Sequence, residues 1–113
     1  MTKDPIIFLD HILESIALVE RYVSNVSEET FLSDIGTQDK IIRRLSIIGE
    51  AASQLPENIR VAYPETKWKE IIGMRNFLIH EYFGVTLSEV WLTVQRDLPE
   101  LRDQVKHIKE SLA

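Results

Sequence analysis

The sequence predicts an all-α protein: an antiparallel helical bundle of four main helices plus short helical turns, with the last helix kinked near Pro99. Three observations predict it. Apolar residues recur at three- and four-residue spacing along nearly the whole chain. No stretch alternates with period two for long enough to make a strand. The breaks between periodic stretches are short, which sets successive helices side by side. No Gly/Ser linker, low-complexity tract or repeat divides the 113 residues, so they read as a single domain over 1–113.

The first helix opens at Asp4, a suitable N-cap, with Pro5 at the first helical position, where a missing N–H costs nothing. Leu9, Ile12, Leu13, Ile16 and Val23 mark its inner face. Ser27 caps a short helix reaching about Asp34, and Gly36 is expected to break the chain after it. A third helix runs from about Thr37 to Gln54, with Ile41, Leu45, Ile48, Ala52 and Leu55 on one face. Pro56 and Pro64 bracket a short turn or helix. A fourth helix begins near Trp68, carries Ile71, Ile72 and Leu78, and ends between His80 and Gly84. In the last segment Thr86 and Glu89 form a T-x-x-E capping box. Leu87, Val90 or Trp91, Val94, Leu98, Leu101, Val105, Ile108 and Leu112 then keep one stripe in phase across Pro99. Proline lacks the N–H and crowds the carbonyl four residues back. A kinked axis or two nearly collinear helices is therefore expected, with Asp97 able to cap the second.

Composition narrows the function. No apolar run is longer than the four residues of Ile6 to Leu9, too few to cross a membrane. Lys3 followed at once by Asp4 and Pro5 does not read as a secretory leader. The chain has no cysteine, which excludes disulfides, thiolate chemistry and cysteine-ligated metals and fits a cytoplasmic location. His11, His80 and His107 lack metal-binding spacing, and the scattered glycines form no phosphate loop, so neither metal nor cofactor is expected. The net charge of −5 is uneven. Residues 1–37 hold two Lys/Arg against seven Asp/Glu, residues 38–75 seven against five, and residues 76–113 four against six. That pattern leaves room for one local phosphate site but not for a general nucleic-acid coat.

The chemistry-bearing stretch is RNFLIHEYFG, Arg75 to Gly84. On a helix Asn76 and His80 lie four residues apart on one face, so the amide can bond the imidazole and fix its tautomer. Arg75 is five residues before His80 and rotated from it by roughly 140°. The two cannot converge on one small group within an unbroken helix. Convergence needs the helix to end there, or a second protomer to bring its own pair alongside. These residues also admit a plain structural reading. A histidine in the last turn can bond free carbonyls, and Arg75 can pair with a carboxylate such as Glu50.

At these residues the sequence resembles the HEPN superfamily, whose signature is an arginine, four to six residues, then a histidine. More narrowly it is similar to the HepT-like toxin branch, with the motif R-N-x-x-x-H-x-Y, here Arg75, Asn76, His80 and Tyr82. The IIGEA stretch (Ile47 to Ala51), Trp68 before IIGMRN, and VW with DLPEL (Val90 to Leu101) resemble that branch in the same order. The resemblance implies a metal-independent endoribonuclease, the toxin of a toxin–antitoxin module, working as a homodimer or higher oligomer with the motifs meeting in a cleft. It implies an MNT-type nucleotidyltransferase antitoxin as partner, able to adenylylate Tyr82. His80 is then the general base or acid, and Arg75 holds the phosphate. Asn76 orients His80 or contacts the phosphate, and Tyr82 bonds RNA or stacks on a base. Glu50 is the expected positioning partner of Arg75. The alternative is a non-catalytic HEPN-like adaptor that binds nucleotides or partners, which the acidic net charge favours.

Overall fold

The computed structural model describes residues 4–80 and 86–113, the side chains at 77, 79 and 80 excepted. Helix α1 spans Pro5–Val23 and starts as the sequence dictates: the Asp4 carboxylate accepts the Ile6 N–H at 2.9 Å. Leu9, Ile12, Ile16 and Val19 are buried along it, while Leu13 and Val23 are only partly covered. Helix α2, Glu28–Ser33, is capped by Ser27, whose hydroxyl accepts the Thr30 N–H at 3.1 Å.

Asp34 serves two helices. Its N–H closes α2 on the Phe31 carbonyl, and its carboxylate opens α3, Ile35–Gln54. It accepts the Thr37 hydroxyl at 2.8 Å and the Thr37 N–H at 3.3 Å. The chain break therefore falls at Asp34, and Gly36 lies in the first turn of α3 instead of ending a segment. A capping carboxylate satisfies first-turn N–H groups that have no helical partner, and this decides the boundary. The hydroxyl bond from Thr37, and after it the N–H bond, holds the Asp34 carboxyl below the usual carboxylate range. The charged form is the one the fold favours. Its stabilisation is thus fully present above the ordinary carboxylate pKa and is lost as pH falls through the lowered folded-state value. Asp34→Ala is expected to lower the melting temperature at neutral pH and to flatten its fall in acid. Asp34→Asn, which keeps an acceptor, should retain most of the neutral-pH stability. Melting curves across pH check this, and an unchanged Asp34→Ala profile would refute it.

Helix α4, Glu57–Ala62, fills the stretch between Pro56 and Pro64. The indole N–H of Trp68 donates to the Tyr63 carbonyl at 3.0 Å and so fixes the entry to α5, Trp68–His80. Trp68 and Leu78 are buried on α5, with Ile71 and Ile72 partly covered.

Helix α6, Leu87–Leu92, continues through one π-helical turn, Thr93–Asp97, into α7, Leu98–Leu112. The expected capping box is not made. Thr86 is the N-cap without a side-chain bond, because the Glu89 N–H goes to the Thr86 carbonyl at 3.0 Å. Nor does Asp97 cap a second helix. Its backbone is helical, and its carboxylate lies 3.2 Å from Arg96 Nε. The disturbance around Pro99 is absorbed by widening, with the Leu98 N–H reaching back five residues to the Thr93 carbonyl. The stripe keeps its phase: Val90, Trp91, Val94, Leu98, Leu101, Val105 and Ile108 are buried, and Leu112 is exposed at the end.

Together these make an all-α bundle, with no strand among the described residues. Helix α1 packs on α3 and α7, α3 packs on α5, and α2 lies against α3 and α6. Burial drives the assembly, at about 1.5–3 kcal/mol for each large apolar side chain removed from water. Phe31 and Trp91 meet at 5.2 Å between ring centroids, and buried Gln38 donates to the Phe31 carbonyl at 2.8 Å. Outside the core, Lys109 reaches Asp10 and Arg102 reaches Glu20, both at 2.6 Å, tying α7 to α1. No helix among the described residues is long and apolar enough to cross a membrane.

Candidate active site

The centre of the site is the crossing of α3 and α5, and a glycine makes it possible. Gly49 is buried, and a Cβ placed there would lie 2.4 Å from Arg75 Cβ and 2.9 Å from the Ile71 carbonyl oxygen. With no side chain at 49, the backbone of α5 comes directly onto α3. The neighbouring residue on α3, Glu50, is thereby brought to the arginine: Arg75 Nε stands 2.7 Å from Glu50 Oε2. The Nε–H does not point at that oxygen, so the contact is an ion pair and not a linear hydrogen bond.

Two further bonds hold the group. Arg75 Nη1 donates to Asn76 Oδ1 at 2.9 Å, and the other Glu50 oxygen accepts from Gln54 Nε2 at 3.2 Å. The Arg75 and Glu50 side chains are 34% and 47% exposed, so water screens their attraction. Such a pair is worth about 0–1 kcal/mol. Its consequence is orientation. The planar guanidinium is clamped from two sides and borders an open groove of about 590 Å³ that Asp39, Arg43, Ser46, Ile47 and Glu50 also line. The two arginines there are matched by two carboxylates.

Asn76 is exposed, and its carbonyl oxygen is taken by Arg75, which leaves its amide N–H donors for another acceptor. Helix α5 is unbroken from Arg75 to His80, so the two lie on different faces, roughly 140° apart. The His80 side chain, its expected bond with Asn76, and Tyr82 lie outside the described residues. His11 and His107 are exposed, His107 standing edge-on to Tyr63.

Gly49 is the residue that the sequence reading passes over. Its signal was present: a glycine four residues after Leu45 and three before Ala52 falls on the buried face of a long helix. A residue that weakens a helix is kept there for close approach of a neighbour.

The fold and site together define an all-α bundle whose α5 presents a clamped arginine beside an asparagine, five residues before a histidine in sequence. The comparisons then name the family. A profile of the HepT-like family, described as "Ribonuclease HepT-like", matches residues 12–108. The chain belongs to this family. It is 45% identical over 112 residues to a "Gamma-glutamylcyclotransferase and putative RNase" of Methanocaldococcus jannaschii, covering 99% of this chain and 50% of that relative. It is 42% identical over 106 residues to a "Putative RNase" of Caldanaerobacter subterraneus subsp. tengcongensis, covering 94% of this chain and 95% of the relative. A "Probable ribonuclease HepT" of Thermococcus cleftensis is 39% identical over 103 residues, 91% of this chain and 94% of that protein. The chain thus spans half the length of the first relative and nearly all of the other two. No solved structure matches the chain.

Proposed function

We propose that the chain is the toxin of a toxin–antitoxin pair, a metal-independent endoribonuclease that cuts at a cleft between two protomers. The observation that carries this reading is the clamped Arg75 guanidinium, a planar donor fork with an open groove before it, on a helix where position 80 is rotated from it by roughly 140°. A second copy supplies the missing partner. RNA carries its own nucleophile, so no metal is needed to generate one. The 2′-oxygen attacks phosphorus, the P–O2′ bond forms and the P–O5′ bond breaks, leaving a 2′,3′-cyclic phosphate and a 5′-hydroxyl. The 2′-proton goes to a base, and a proton is delivered to the departing 5′-oxygen. An imidazole titrates near pH 6.5 and serves either step, the role of His80.

Arg75 stabilises the charge that builds on the phosphoryl oxygens. Asn76, with its amide N–H groups free of Arg75, orients His80 or contacts the phosphate. Tyr82 contacts RNA, and an adenylyl group placed on it by a nucleotidyltransferase antitoxin of the MNT type would block the cleft by bulk and charge. The net charge of −5 favours the second reading, a HEPN-like adaptor that binds a nucleotide or a partner without cutting. Incubating the purified chain with total RNA or tRNA in EDTA decides between them. Cleavage that persists in EDTA is expected. No cleavage by protein whose intact mass shows no added adenylyl group would favour the adaptor.

A further inference from the structure

A second groove of about 590 Å³ runs on the α4 side of α5, and Asn76 lines it together with Glu57, Arg60, Lys69 and Gly73. It differs from the Arg75 groove in charge. There the cations are matched by carboxylates, whereas here Arg60 and Lys69 face one carboxylate, Glu57. Arg60 is only partly exposed, its Nε is shut off from water, and that atom has no hydrogen-bond partner. Among the described residues neither Arg60 nor Lys69 has an ion-pair partner. Arg75 is clamped by its own chain; Arg60 is not. A guanidinium that no carboxylate of its own chain neutralises attracts an external anion to the groove it lines. The wall also has a bare stretch: at Gly73, exposed in mid-helix, a Cβ would meet nothing within 4 Å. Helix backbone is uncovered there and admits close approach by a ligand.

We infer that this α4–α5 groove is a backbone-phosphate subsite for single-stranded RNA, with Arg60 and Lys69 holding a phosphate next to the one presented to Arg75 and Asn76. The inference rests on the ribonuclease reading and adds the track along which the strand lies. It also answers the charge objection. A protein of net charge −5 grips RNA through a few focused contacts, and this groove supplies cations that its own carboxylates do not cancel.

The test is binding of a short, labelled 2′-O-methyl oligonucleotide, which cannot be cut, to the full chain at several salt concentrations. Arg60→Gln should weaken binding by about five- to tenfold at low salt, and reduce the slope of log K against log salt by about 0.7. Lys69→Gln, at an exposed position, should act in the same direction, and Arg60→Lys should restore most of the affinity. In cleavage assays Arg60→Gln should raise KM more than it lowers kcat. Unchanged affinity and slope in both neutral variants, with binding lost in Arg75→Ala, would overturn the subsite and leave the nuclease reading standing. A wild-type chain that neither binds nor cuts RNA overturns both. A drop in oligomer size in Arg60→Gln at unchanged RNA affinity would assign the groove to contacts between copies and overturn the inference as well.

Discussion

His80→Ala should lower the EDTA-resistant cleavage of RNA by about 10²–10⁴-fold, the usual contribution of a positioned general acid or base. Circular dichroism should show an unchanged helical content, since the residue lies at the end of α5. Arg75→Ala should cost about 10²–10³-fold, the loss expected when one donor to developing anionic charge is removed. The stability of that variant should change little, because its Glu50 partner is half exposed and is left in contact with water. Glu50→Gln separates positioning from chemistry. It keeps the shape and removes the charge that holds Arg75 Nε at 2.7 Å, so cleavage should fall by about tenfold, less than for loss of the arginine itself. Once Arg75 is gone, removing Glu50 should have almost no further effect, because residues acting as a unit are not additive. Full activity in His80→Ala would place the chemistry elsewhere. Glu50→Gln with unchanged stability and cleavage would remove Glu50 from the site.

The parts of the fold legible in the sequence are those fixed by local chemistry. Asp4 and Ser27 are N-caps because short side chains with an oxygen satisfy nearby N–H groups, and both positions are read without tertiary information. The stripe of Ile41, Leu45, Ile48, Ala52 and Leu55 is legible for the same reason: period alone decides which face is buried. Where two local rules compete, sequence is less decisive. At Thr86 the hydroxyl and the carbonyl compete for the Glu89 N–H, and the carbonyl wins. At Pro99 a break and a widened turn both relieve the clash, and the continuous buried stripe of α7 favours the turn that keeps its phase. At the site, the partnership of Arg75 with Glu50 could be suspected from the need to neutralise a guanidinium on an apolar stripe. The crossing that brings them together could not be, because it depends on how closely α5 approaches α3.

That crossing makes Gly49 a sensitive position outside the motif. An alanine Cβ there would lie 2.4 Å from Arg75 Cβ, and ordinary contact begins at 3.4 Å, so α5 must retreat by about 1 Å. Arg75 Cβ is attached to the backbone and cannot swing aside. Overpacking of this kind costs about 1–3 kcal/mol, against which alanine returns about 1 kcal/mol of helix propensity. At about 4 °C per kcal/mol, Gly49→Ala should melt several degrees below wild type, and Gly49→Val further still. Gly73→Ala provides the contrast on the partner helix. Nothing lies within 4 Å of its added methyl group, so the propensity term acts alone and the variant should gain about 0.5–1 kcal/mol. The retreat of α5 also carries Arg75 away from Glu50, and a displacement of about 1 Å at a reacting group costs about 10²-fold in rate. Gly49→Ala should therefore lose cleavage at temperatures where it remains fully folded, although residue 49 is buried and reaches no substrate. Melting curves and cleavage rates measured on the same preparations test both halves. A Gly49→Ala protein as stable and as active as wild type would show that the helices are free to separate, and that the clamp on Arg75 does not depend on their contact.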